Sequence, residues 1–182
     1  MQSNIELIDG DIVIRDITLE DCNVEYLEWL NDPNVNMFLE TRFVKQDMGT
    51  IKEFVKTQIE SKNSYLFAIT IKSNGGYKHV GNIKIGGINP HHHYSEISYF
   101  IGDVSYHGKG IATKAVKLVS DYGFKELGIH RIQASFYDQN VASKEVLEKA
   151  GFVYEGKWHE RNISPISNEY CDVLIYYKLS SM

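Results

Sequence analysis

Cysteine and proline are scarce in this chain, at two and three of 182 residues. Cys22 and Cys171 lie far apart and neither belongs to a Cys-x-x-Cys pair, which speaks against a disulfide framework and suits a reducing, cytoplasmic setting. Long apolar runs are missing as well. No stretch approaches the roughly 18 consecutive apolar residues of a membrane span, and residues 1–9 show no basic segment leading into an apolar one, so neither a membrane partner nor a signal peptide is expected. Positive charge is not in excess: the net charge is −5 and the pI near 5.8. That balance argues against a nucleic-acid partner, which usually meets a basic face, and leaves room for a local basic pocket.

What remains is the composition of an ordinary globular protein, 43% hydrophobic and 24% charged. The length suits a single domain spanning 1–182, able to bury roughly 70% of the surface of its unfolded chain. Residues 12–17 alternate as a strand, and Thr18 or Glu20 opens a helical pattern with Val24, Leu27 and Leu30 on one face. Asn31-Asp32-Pro33 stops it, because the residue before proline is pushed out of helical geometry. A second helix is expected over 46–60, strands over 65–71 and 79–88, and a hairpin turn at Ser73-Asn74-Gly75-Gly76. After the middle of the chain come a helix over 110–125, a strand over 131–137, a helix over 140–150 closed by Gly151, and strands over 152–161 and 170–179. The expected fold is a mixed α/β domain of about seven strands and about four helices, with a largely antiparallel sheet before the middle helix.

One segment carries more than the rest. Residues 94–112 read as an alternating strand (Ile97, Tyr99, Ile101) that turns through Gly108-Lys109-Gly110 into a helix. A glycine turn at a helix N-terminus is an anion site built from backbone N–H groups, so phosphate or pyrophosphate is the first ligand to expect. A plain strand-to-helix turn would look the same locally. Further on stand Asn140-Val141-Ala142-Ser143 and Lys149-Ala150-Gly151-Phe152.

Together these residues resemble the GNAT (Gcn5-related N-acetyltransferase) superfamily over nearly the whole chain. Its signature is Arg or Gln, any two residues, Gly, any residue, then Gly or Ala; His107-Gly108-Lys109-Gly110-Ile111-Ala112 matches except that histidine holds the first place. The Asn140-x-x-Ser143 and Lys149-x-Gly151-Phe152 pattern resembles the RimJ/RimL-like branch. The resemblance implies a mixed sheet splayed between the fourth and fifth strands, and acetyl-CoA as acyl donor with no metal. The backbone of residues 107–112 would cradle its pyrophosphate, and that of Ser98, Tyr99, Phe100 and Ile101 would bind its pantetheine arm as an added strand. Asn140 would close the slot through its amide, a role that competes with plain helix capping, and Lys149, with Lys144, lies near the implied path of the 3′-phosphate. For the chemistry, Glu96 is the candidate base, against a solvent-facing carboxylate. Many family members carry an acidic tyrosine where this chain has Leu147, so Ser143 becomes the candidate acid, against a capping serine. Neither cysteine lies in a nucleophile motif, which favours direct transfer in a ternary complex over an acyl-cysteine route.

On the acceptor side, Trp29 and Phe38 are candidates for stacking on a substrate or for core packing, and Glu40 and Arg42 for polar recognition or a surface ion pair. The segment around them is similar to those of GNAT enzymes acting on nucleotide-linked amino sugars. His159 and Arg161 are further candidate contacts. His91-His92-His93 reads as a solvated turn, since adjacent residues point to opposite sides and cannot converge on one ion; the alternative is that His92 or His93 lines the acceptor mouth. The implied acceptor is an amino sugar, another small amine or a protein N-terminus, and the protein is expected to be a monomer or homodimer. The alternative function is a non-catalytic acyl-CoA-binding or sensing domain of the same fold. An ATP-binding reading fails on the missing Gly-x-x-x-x-Gly-Lys-Ser/Thr spacing.

Overall fold

The computed structural model describes residues 5–73 and 75–180. Eight strands form one sheet: β1 (Glu6–Asp9), β2 (Ile12–Asp16), β3 (Tyr65–Ser73), β4 (Gly76–Asn89), β5 (Tyr94–Ile101), β6 (Arg131–Tyr137), β7 (Val153–Ile163) and β8 (Tyr170–Leu179). Five α-helices accompany them: α1 (Val24–Asn31), α2 (Pro33–Asn36), α3 (Met48–Glu60), α4 (Ile111–Lys125) and α5 (Val141–Lys149). The strand order is β1-β2-β3-β4-β5-β6-β8-β7, and every pair is antiparallel except β5 with β6. Parallel neighbours need a crossover, and α4 supplies it.

The architecture is the expected mixed α/β domain, with two elements beyond the sequence expectation. β1 is a four-residue strand on the open edge of β2, too short to show a period, and α2 is a single turn started by Pro33 at its first position under an Asp32 cap. The first helix begins later than Thr18 or Glu20. Asp21 turns its carboxylate back onto the Thr18 N–H and hydroxyl and onto Arg15, making a short 3-10 turn, and α1 starts only after the Asn23 cap. At the β3–β4 hairpin Ser73 pairs with Gly76; Asn74 of the expected turn lies outside the described residues, as do residues 1–4 of the N-terminal segment.

Two apolar clusters sandwich the sheet. Ile14, Phe67, Ile69, Ile83, Ile85, Ile97, Ile132 and Ala134 meet Val116 and Val119 of α4 and Leu147 of α5 on one side. Tyr26 and Leu30 of α1 and Ile51 and Val55 of α3 pack against Leu66 and Ala68 on the other. Burying each such aliphatic side chain stabilises the fold by about 1.5–3 kcal/mol.

The site follows from how β5 and β6 meet. They pair only at Tyr94–Arg131, Ser95–Ile132 and Glu96–Gln133. The closed end is pinned by the His93 carbonyl, which accepts N–H bonds from His130 at 2.7 Å and Arg131 at 3.1 Å. Beyond Glu96 the strands part: β5 continues to Ile101 along β4 and β6 continues to Tyr137 along β8, with no further pairing between them. The sheet opens as a fork with Glu96 at its base.

Candidate active site

At the tip of the fork β5 runs through a 3-10 turn (Val104–Tyr106) into the glycine turn. Gly108 and Gly110 have φ of +71° and +74°, a left-handed backbone that a β-carbon disfavours. A β-carbon built on either would meet nothing within 4 Å, so the space in front of the turn is open. Gly110 caps α4 without a side-chain bond, and the first helical hydrogen bond is from Lys114 N–H to the Gly110 carbonyl at 3.1 Å. The amides of Ile111, Ala112 and Thr113 therefore have no intrahelical acceptor. Free helix amides facing an open cradle at the positive end of a 15-residue helix fit a pyrophosphate. His107, the irregular letter of the signature, has its ring nitrogen Nε2 2.9 Å from the Ile101 carbonyl, so it ties the turn to the end of β5. Lys109 is exposed with its ammonium 4.9 Å from the centre of the Tyr106 ring.

Side chains of β5 alternate across the fork. Ile97, Tyr99 and Ile101 face the α4–α5 side, while Glu96, Ser98 and Phe100 face the α1 side, where Phe100 stacks on Tyr26. Glu96 is exposed and accepts a 2.9 Å hydrogen bond from the Ser135 hydroxyl of β6. On the other side, α5 begins under Asn140, whose side-chain oxygen accepts the Ser143 N–H at 3.1 Å. Its amide NH2 has no acceptor among the described residues. The Tyr99 hydroxyl reaches the Ser143 carbonyl at 3.4 Å, so β5 and the first turn of α5, with its Asn140 cap, meet on the α4–α5 side of the fork, while Glu96 lies on the other face of β5. Leu147 is buried in the core, Lys149 pairs with Glu145 at 2.9 Å, and Lys144 is exposed.

The α1 side of the slot has a wall made by α2 and the 3-10 turn Glu40–Phe43. Tyr137, at the end of β6, is its hub: it donates to Glu40 at 2.7 Å, accepts from Arg42 at 2.9 Å, and packs its ring 5.8 Å from that of Phe38. Arg42 also donates to the carbonyls of Leu39 and Ile163, which fastens the wall to β7. Trp29 is committed to packing, with its ring 5.1 Å from His79 and pressed onto Gly102, where a β-carbon would lie 2.1 Å from the indole. His159 and Arg161 are exposed on β7, the first 3.8 Å from Asp172 and the second over the Trp158 ring. They are not drawn into the Tyr137 cluster. His91 and His92 donate their backbone N–H groups to Asn89 in an exposed turn, and His92 stacks on Tyr94. Sequence reading missed Ser135 and Tyr137. The signal was available, because Ile132, Ala134 and Phe136 are the apolar alternates of β6 and put Gln133, Ser135 and Tyr137 on the face of Glu96.

A family model described as an acetyltransferase (GNAT) domain matches residues 11–153. The chain belongs to the GNAT acetyltransferase family. Among relatives of this GNAT domain, a Bacillus subtilis protein named uncharacterized N-acetyltransferase YnaD is 30% identical over 169 residues, 91% of each chain. The probable N-acetyltransferase YjcK of the same organism is 55% identical over 60 residues, which is 33% of each chain. A crystal structure of spermidine N-acetyltransferase from Vibrio cholerae in complex with CoA and spermine superposes with a TM-score of 0.81 at 22% identity, covering 94% of this chain and 96% of that one. At that identity the likeness shows the fold.

Proposed function

We propose that the protein is an acetyl-CoA-dependent N-acetyltransferase that transfers the acetyl group to a primary amine by direct attack in a ternary complex. The observation that carries this reading is the parting of β5 from β6 after Glu96, which leaves the outer edge of residues 97–101 without a strand partner and leading to the free amides of α4. An extended pantetheine arm along that edge would hydrogen-bond as a strand, and the turn at 107–112 would hold the pyrophosphate. When bound, acetyl-CoA supplies an activated acyl group and a thiol leaving group. Glu96, oriented by Ser135, removes the proton that the amine nitrogen must lose. The Asn140 amide and Ser143 border the slot from α5. Asn140-x-x-Ser143 and Lys149-x-Gly151-Phe152 support placing the chain in the RimJ/RimL-like branch.

Among acceptors, two carboxylates favour a small amine with more than one ammonium group. Ser135 holds Glu96 and Tyr137 holds Glu40, and these two β6 residues are i and i+2 on one face, about 7 Å apart along the strand. A structural neighbour bound to spermine agrees with this direction. The test is acetyl-CoA-dependent turnover with diamines and polyamines, amino sugars and peptide N-termini side by side. Preference for the polycationic amines, reduced by Glu40→Gln through a raised acceptor KM, supports the reading. Equal or better turnover of amino sugars or peptides overturns this choice of acceptor.

A further inference from the structure

We propose that the hydroxyl of Tyr99 donates a hydrogen bond to the sulfur that leaves during acyl transfer, making Tyr99 a catalytic residue of this enzyme. The proposal rests on the acetyl-CoA reading above and adds a role for a side chain that the resemblance credits only with backbone contacts.

Three observations carry it. First, Tyr99 sits on β5 in the stretch that has lost its partner strand, three residues past the last β5–β6 pair. Second, its ring points to the α4–α5 side, away from Glu96, so the two groups stand on opposite faces of the strand beside which the thioester would lie. Acyl transfer needs that separation: the amine proton leaves on one side while charge develops on sulfur on the other. Third, its hydroxyl crosses to the first turn of α5, where it makes a 3.4 Å contact with the Ser143 carbonyl. That length is near the limit of a hydrogen bond, so the O–H can be redirected to a stronger acceptor at little cost. Leu147, one turn further along α5, is buried and aliphatic and offers no proton. Burial pushes the Tyr99 phenol up to about 12, outweighing the opposing effect of Ser143, so the hydroxyl keeps its proton across the neutral range.

The step balances. The neutral amine nitrogen bonds to the acetyl carbon, and the carbon–sulfur bond breaks with its electron pair passing to sulfur. Tyr99 stabilises that negative charge through its O–H. Glu96 takes the proton released by the new amide nitrogen, and an equal proton, delivered through the Tyr99 and Ser143 hydroxyls or water, completes the thiol.

Tyr99→Phe keeps the ring and removes only the hydroxyl. It should lower kcat about 100-fold, the range found for removing one donor to a developing anion, while KM for acetyl-CoA and for the amine stay within about twofold. The thiol of bound coenzyme A, followed by the ultraviolet absorbance of its thiolate, should titrate at higher pH in Tyr99→Phe than in the unaltered enzyme, a shift that a packing role would not produce. A 3-fluorotyrosine placed at position 99 retains ring and hydroxyl, and should move the alkaline limb of the kcat profile to lower pH. Unchanged kcat in Tyr99→Phe, or an unchanged thiol titration, overturns the proposal, as does a fluorotyrosine profile that does not move. Failure of the unaltered protein to bind coenzyme A would overturn the acyl-donor reading itself and this proposal with it. Binding and turnover that persist in Tyr99→Phe sink only the proposal.

Discussion

Replacing Gly110 separates the two reasons for a glycine at the helix start. With φ of +74°, an alanine there would pay the left-handed strain of an ordinary residue, about 1–2 kcal/mol. For a protein of this length that corresponds to a fall of about 2–8 °C in Tm. An asparagine tolerates the left-handed region far better and should cost only a fraction of this. Both side chains, however, project into open space beside the start of α4, where nothing beyond the adjoining residues lies within 4 Å of the β-carbon. If that space receives the pyrophosphate, each substitution disturbs hydrogen bonds to a charged group, worth about 1.5–3 kcal/mol, and weakens Kd for coenzyme A about 10- to 100-fold. The assays are thermal denaturation and isothermal titration with coenzyme A. Gly110→Ala should lose both stability and affinity, and Gly110→Asn should lose affinity with little loss of stability. Coenzyme A affinity unchanged in both variants would refute the assignment of the turn as the phosphate cradle.

Gly102→Ala drives a methyl group into the Trp29 indole and should destabilise the fold by about 1–3 kcal/mol, seen as a lower Tm and non-additive with Trp29→Ala. His79 is buried against Tyr26 and Trp29, and its Nε2 is within hydrogen-bond distance of the Gly81 carbonyl and the Asn82 side-chain oxygen. Burial holds it below its ordinary 6.5 despite the bond to Asn82 and the nearby Asp21 charge. Below that value the unfolded chain takes up the proton first, so stability is full above about pH 6.5 and declines as the pH falls; Tm measured against pH should show a decline that His79→Gln flattens. Arg42→Ala unfastens the wall from Tyr137 and Ile163 and should raise the acceptor KM several-fold while leaving coenzyme A affinity intact, which initial-rate kinetics and titration distinguish.

Much of this arrangement is legible in the residues because it depends on local signals. The strand limits of 131–137 and 170–179 follow from alternation, the start of α4 from its glycines, and the cap of α5 from Asn140. The fork is different. No local pattern says that pairing stops at Glu96 and Gln133, since the residues on both sides of that point are equally strand-like; family resemblance supplied the expectation. The acceptor wall was only partly legible. Glu40 and Arg42 stand out as charges, but their partner Tyr137 is about 95 residues away, and long-range polar contacts leave no mark in spacing. Trp29 shows the converse: an aromatic beside the site whose environment, Gly102 and His79, makes it part of the packing. His107 gains a reason that the signature could not give, because its ring reaches the Ile101 carbonyl across the turn.

The most direct test of the central claim is amine-dependent release of coenzyme A thiol from acetyl-CoA, measured for the unaltered protein and for Glu96→Gln. The account predicts release that requires an amine, and a kcat about 100-fold or more lower in Glu96→Gln with coenzyme A affinity unchanged. Tight coenzyme A binding without amine-dependent release from the unaltered protein would contradict it, and would identify the fork as a binding or sensing site instead.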